Sequence, residues 1–277
     1  MGVASVYTAM RDPHVATLRY RLVPANTLSF DHPVPVERRE EAFFVRLADD
    51  ILTFEMIEHH ASEESAKECV QRYLEAWRID VGLRFGHREI GFEFLDANVI
   101  DRDPPPGTGQ VIHAKIAMAG AGALDATVHV SRRQYPEPPR GFVVSPAVKS
   151  MWDRYEMYLE RRDPLTDMAN FCLTALETSA TSAEDPRHKR SKAAKQYNID
   201  EGVLSNLGWL AAEVGDDETA RKRTHGGERR RHTEAERVWM EAAVRALIRR
   251  AGEWASDPDA QGQKLTMNDL PKLPPRS

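Results

Sequence analysis

A chain of 277 residues with 41% hydrophobic and 29% charged residues is too apolar to stay unfolded and too polar to live in lipid. Domains of about 100–150 residues are the commonest size, so two modest cores are expected. No apolar run reaches the roughly 18 residues a membrane span needs. Met1-Gly2-Val3-Ala4-Ser5-Val6 lacks the basic and apolar regions of a secretory leader, which makes a cytoplasmic protein with no membrane partner the expectation.

Cys69 and Cys172 are too far apart in sequence to suggest a disulfide framework, and each falls on the apolar side of an expected helix, as a buried free thiol does. The net charge of -5 hides an asymmetry. From Arg187 to Arg250 there are fifteen Lys/Arg against ten Asp/Glu, so this segment carries +5 and the remainder -10.

Taken in chain order, Ala16, Leu18, Tyr20 and Leu22 alternate with Thr17, Arg19 and Arg21, the period of two of a half-buried strand over 15–23. Glu41 to Leu47 and Ile51 to Glu58 repeat the pattern around Asp49-Asp50 and read as a hairpin. Ser62-Glu63-Glu64 then supplies an N-cap and acidic first turn. Ala66, Cys69, Val70, Tyr73, Leu74 and Trp77 follow at helical spacing, predicting an amphipathic helix over 62–78. Ile90, Phe92 and Phe94 alternate again, and strands are expected at about 110–118 and 123–132, joined by Ala119-Gly120-Ala121-Gly122. Between these strands, Asp101-Arg102-Asp103-Pro104-Pro105-Pro106-Gly107 reads as a stiff exposed loop, because its prolines forbid helix and central strand.

After Pro136-Glu137-Pro138-Pro139 the period changes to 3.6. Ser145-Pro146 and Asp163-Pro164 each set an N-cap residue before a proline, which predicts helices at about 146–161 and 164–180. A short helix near Ser191–Tyr197 and another from Asp200 should follow. Thr233-Glu234-Ala235-Glu236 has the form of a capping box and opens a long helix with Met240, Ala243, Val244, Leu247, Ile248 and Ala251 on one stripe. The expected class is therefore α+β: a mostly antiparallel sheet with one covering helix in residues 1–140, an all-helical region in 141–256, and a flexible tail in 257–277.

No phosphate-cradling P-loop, dinucleotide fingerprint, His-Glu-x-x-His or paired Cys-x-x-Cys occurs in the chain. No cofactor is expected, and whether the protein is an enzyme stays open. Ala194, Ile199, Leu204 and Leu207 have the spacing of a DNA-binding helix-turn-helix, in which a small residue lets two helices cross and larger ones fill the angle. Any two-helix corner can produce that spacing, and Asp200, Glu201 and Glu213 would repel phosphates. Arg221-Lys222-Arg223 and Arg229-Arg230-Arg231-His232 flank Gly226-Gly227 just before the capped helix. Cations there oppose the helix dipole, so the run points to an external anion such as nucleic-acid phosphate, a nucleotide or an acidic partner.

Histidines give the remaining candidates. If Ile112, Ala114 and Ile116 share a face with Val128 and Val130, then His113 stands opposite Thr127 or His129 on the wetter face, near Lys115 and Asp125. His113 and His129 are thus candidate metal or acid-base residues, though no Cys or carboxylate cluster completes a ligand set there. Glu58-His59-His60 at a strand end and Asp101/Asp103 are further candidates.

Over Ser145 to Trp254, the order of Asp163-Pro164-Leu165, the helix ending Cys172-Leu173-Thr174-Ala175-Leu176-Glu177 and the final Arg-rich helix resembles uncharacterised bacterial proteins with HEPN-like helical domains. The resemblance implies a helical fold and, in members that cut RNA, an Arg-x4–6-His motif acting on the scissile phosphate. Here Arg221 and His225 are separated by three residues, so the resemblance implies a relative without that motif. The leading expectation is a non-enzymatic interaction or regulatory protein binding RNA or DNA through Arg221, Lys222, Arg223, Arg229, Arg230 and Arg231. The alternatives are a HEPN-like ribonuclease or metal-assisted hydrolase, and a scaffold or homo-oligomer with a protein partner alone.

Overall fold

The structure is a computed structural model that describes residues 10–25, 28–85, 89–104, 113–114, 130–181, 188–212, 214, 230–260 and 262–275. The chain divides into two compact units at Pro138/Pro139.

In the first unit, strands β1 (Pro13–Pro24), β3 (Val36–Arg39), β4 (Phe43–Ala48), β5 (Ile51–Met56), β6 (Ile90–Asp101) and β7 (His113–Ala114) form one sheet in the order β3-β4-β5-β1-β6-β7. All its pairings are antiparallel. Leu18, Tyr20 and Leu22 of β1 point into the core as the period of two requires. Val15 is also buried although it is out of step with them. A shift in the pairing with β6 between Val15 and Thr17 leaves Ala16 as an extra residue in β1, which changes the parity of the strand and accounts for this.

Helix α1 (Glu63–Phe85) covers this core with Ala66, Val70, Leu74, Trp77 and Val81, which recur every three or four residues. It runs past the expected end at residue 78. Ile79, Val81 and Leu83 continue the burial, and Asp80 at the buried surface is neutralised by Arg84 one turn on. Trp77 Nε1 donates to Pro136 O at 3.1 Å, fastening the segment that leads out of the unit.

Two strands lie where the sequence pattern predicts none. β2 (Leu28–Val34) pairs in parallel with β8 (Val130–Gln134) in a separate two-stranded sheet, and β3 pairs with β4. Most of the expected 110–118 and 123–132 hairpin lies outside the described residues. Asp101 is not part of an exposed loop: it ends β6 and is buried, with Arg102 to Pro104 exposed beyond it.

The second unit is built from α2 (Pro146–Leu159), α3 (Leu165–Ser179), α4 (Lys189–Gln196), α5 (Glu201–Ala212) and α6 (Glu234–Ser256). Ser145 caps α2 by accepting from Val148 N, with Pro146 at the first helical position. Met151, Trp152, Met168, Cys172, Leu207, Trp239 and Leu247 are buried side chains of this core. No helix among the described residues is long and apolar enough to cross a membrane.

Within the expected tail of 257–277, residues 262–269 contact the helical unit. Leu265 is buried and bridges to Ile199, and a 3-10 turn at Met267–Asp269 is closed by a capping box from Thr266. A composition of Asp, Gln, Pro and Lys suggests solvation, yet buried Leu265, backbone hydrogen bonds and a few side-chain contacts hold the segment.

Candidate functional site

The basic run ends at the start of α6, where the capping box forms as the sequence implies. Thr233 Oγ1 accepts from Glu236 N at 3.3 Å, and Glu236 Oε2 accepts from Thr233 N at 2.7 Å. The same carboxylate takes both ends of a guanidinium: Arg230 donates from Nη1 to Oε2 at 2.7 Å and from Nη2 to Oε1 at 2.6 Å. Glu236 is buried, and its pKa is held down to about 2. The Arg230 hydrogen bonds are the main cause, acting against desolvation and joined by the Thr233 donors. Next to it, His232 Nε2 donates to Leu210 O at 2.9 Å, tying the segment to α5.

One of the six candidate cations is therefore reassigned. Arg230 needs no external anion, because Glu236 of the same chain neutralises it and turns an unfavourable cation near a helix N-terminus into part of the cap. Arg231 is exposed. Arg221, Lys222, Arg223 and Arg229 lie outside the described residues.

The helix-turn-helix spacing does produce a helix corner. Ala194, Ile199, Leu204 and Leu207 are buried, and Asn198 takes a positive φ of 51° in the turn. Asp200 Oδ1 accepts from Gly202 N at 2.8 Å. The outer side of that turn is occupied by the chain's own C-terminal segment. Asp200 N donates to Leu265 O at 2.8 Å and Leu265 N to Asn198 O at 3.0 Å, while Asn198 Nδ2 reaches Gly262 O at 2.7 Å. Lys264 pairs with Asp200, and Asn206 Nδ2 meets Met267 Sδ. In a DNA-reading corner the start of the second helix enters the groove. Here that start is acidic and already in contact with residues 262–267, so the corner is an element of packing.

In the first unit, β7 places His113 opposite Val99 of β6. The His113 side chain and the whole of His129 lie outside the described residues. Asp101 serves the backbone: its carboxylate accepts from Arg11 N, Asp12 N and Asp103 N at 3.0–3.1 Å. Partial desolvation opposes its ionisation, but these donors prevail and hold its pKa below the usual value. Glu58 and His60 are brought to Cys69 of α1, a residue whose sequence context marks it only as a buried thiol. Nothing local signals that meeting, since it joins a strand exit to the second turn of a helix. No family model, curated protein or solved structure matches this chain.

Proposed function

We propose that the chain is a non-enzymatic interaction or regulatory protein whose helical unit binds a nucleic acid. In this reading Arg221, Lys222, Arg223, Arg229 and Arg231 meet phosphates while Arg230 anchors the run. The observation that supports it is the local excess of +5 between Arg187 and Arg250, delivered into a segment that Arg230 and His232 fasten to the bundle. Cations gathered beside a fixed point attract a polyanion, and each phosphate they neutralise releases condensed counterions.

The test is fluorescence anisotropy with short RNA and DNA probes across a salt series. Changing the five cations to Ala while keeping Arg230 should flatten the log–log salt dependence by about 0.7–0.9 for each phosphate that is no longer neutralised. Unchanged affinity and slope would sink the reading. Cleavage of the RNA probe would instead identify a HEPN-like ribonuclease or metal-assisted hydrolase. A concentration-dependent mass by light scattering, with no nucleic acid retained, would identify a scaffold or homo-oligomer.

A further inference from the structure

The segment Ile57–Ser62, which links β5 to α1, is held on several sides. Ile57 N and Glu58 N donate to Ala42 O at 2.8 and 3.2 Å, Val15 N donates to His60 O at 2.8 Å, and His60 N donates to His14 Nδ1 at 3.4 Å. Its two adjacent histidines face different neighbours. His59 stacks on His14 with ring centroids 5.4 Å apart and sets Nε2 3.5 Å from Asp12 Oδ1. His60 instead reaches α1, where its Nδ1 lies 3.0 Å from Ser65 Oγ.

That contact leaves the other ring nitrogen, His60 Nε2, buried and without a hydrogen-bond partner. Most buried polar atoms are paired, and His60 Nε2 is one of a few among the described residues that are not. If Nδ1 carries the proton and gives it to Ser65 Oγ, Nε2 presents a lone pair, the arrangement by which a hydroxyl or carbonyl orients a metal-binding imidazole. Cys69 follows Ser65 by four residues, one turn along the same helix face. Glu58, His60 and Cys69 offer one donor atom each, all within 4.8 Å of one another, the single such trio among the described residues. A dication bound beside the carboxylate and the imidazole would favour the thiolate of Cys69 as its third donor.

We infer that Glu58, His60 and Cys69 form a binding site for a thiophilic divalent transition-metal ion, with Zn²⁺ the best match and a fourth position open to water or an external ligand. Sulfur, imidazole nitrogen and carboxylate oxygen together suit zinc, whereas Mg²⁺ and Ca²⁺ select oxygen alone. Donors about 2.0–2.3 Å from a tetrahedral zinc stand roughly 3.3–3.8 Å apart, a contraction within reach of rotamer changes at exposed Glu58. As the sulfur–metal bond forms, the Cys69 proton leaves to solvent. The site belongs to the first unit and is independent of the nucleic-acid reading, and it uses neither His113 nor His129.

The experiment strips the full-length protein with a chelator and titrates it with Co²⁺, then displaces the Co²⁺ with Zn²⁺. One ion per chain, a near-ultraviolet thiolate-to-cobalt band and uptake accompanied by proton release are expected. Cys69→Ser should abolish the band, Ser65→Ala should weaken binding by about 10–100-fold through the freed imidazole, and Cys172→Ser should change nothing. No Co²⁺ uptake by the unmodified protein, or a band that survives C69S, would overturn the site. An arm without mutation guards against variants that fail to fold: Zn²⁺ must slow alkylation of Cys69 in the native chain, and an unaltered alkylation rate rejects the proposal.

Discussion

Arg230 and Glu236 meet fork to fork, both guanidinium terminal nitrogens on both carboxylate oxygens, at 2.7 and 2.6 Å. This pair lies inside the α6 cap, so its loss removes a bidentate ion pair and part of a capping box together. Glu236 has its pKa lowered from 4.5 to about 2, so its contribution is complete above 4.5 and fades as pH falls toward 2. Urea unfolding followed by tryptophan fluorescence should show a midpoint that drops across that window. Glu236→Gln should lower stability by about 2 kcal/mol at neutral pH and flatten the drop. Parallel pH curves for the two proteins would show that the pair contributes nothing.

The same geometry separates two neighbouring arginines by role. Arg230→Ala should lower stability by about 1–2 kcal/mol, because it leaves Glu236 buried with only the Thr233 donors, yet leave the salt dependence of nucleic-acid binding nearly as it was. Arg231→Ala should reduce the salt slope by about 0.7–0.9. Anisotropy and denaturation on both variants decide it. Matching effects from the two substitutions would contradict the assignment of Arg230 as anchor.

Leu265 is 7% exposed and its backbone bonds in both directions to the turn that joins α4 and α5. Leu265→Ala should destabilise the helical unit by about 2–3 kcal/mol, the low end of the range for emptying a buried leucine site. Amide hydrogen exchange gives a reading without mutation, because Asp200 and Leu265 both donate across the bridge and should be protected together. Exchange of both amides at the rate of an unstructured peptide would show that the segment does not dock.

What can be read in advance divides by range along the chain. The alternation of Leu18, Tyr20 and Leu22, the stripe from Ala66 to Trp77 and the Thr233/Glu236 box are local patterns, and each specifies its element without help from distant residues. β2 is illegible because Pro33 argues against a strand, and its partner β8 lies about a hundred residues on. Glu236 is legible as a cap but not as the partner of Arg230, since the cap motif is silent about what precedes Thr233. The candidate trio is half visible: Glu58 and His60 stand together in sequence, but Cys69 joins them only through the way α1 lies on the sheet. Leu265 shows the same limit, since its partner, the turn at Asn198 and Ile199, is about sixty-five residues upstream.

Gly252 sets two effects of opposite sign against each other. It lies within α6, where Ala is ordinarily favoured over Gly by about 1 kcal/mol. An added Cβ, however, would stand 2.2, 2.5 and 2.8 Å from Cε2, Cδ2 and Cζ of Phe142. That ring is 6% exposed, and the next residue's amide, Val143 N, is bonded to Gly252 O at 3.0 Å, so neither side can withdraw cheaply. Overpacking of this kind costs about 1–3 kcal/mol and exceeds the helix-propensity gain. Gly252→Ala should therefore destabilise the helical unit by about 1–2 kcal/mol. Phe142→Ala should cost less in that background than in the parent, because the ring is then already displaced, and a double-mutant cycle measures the difference. If Gly252→Ala instead stabilises by about 1 kcal/mol, propensity alone governs the position and the close approach of Phe142 to the helix is refuted.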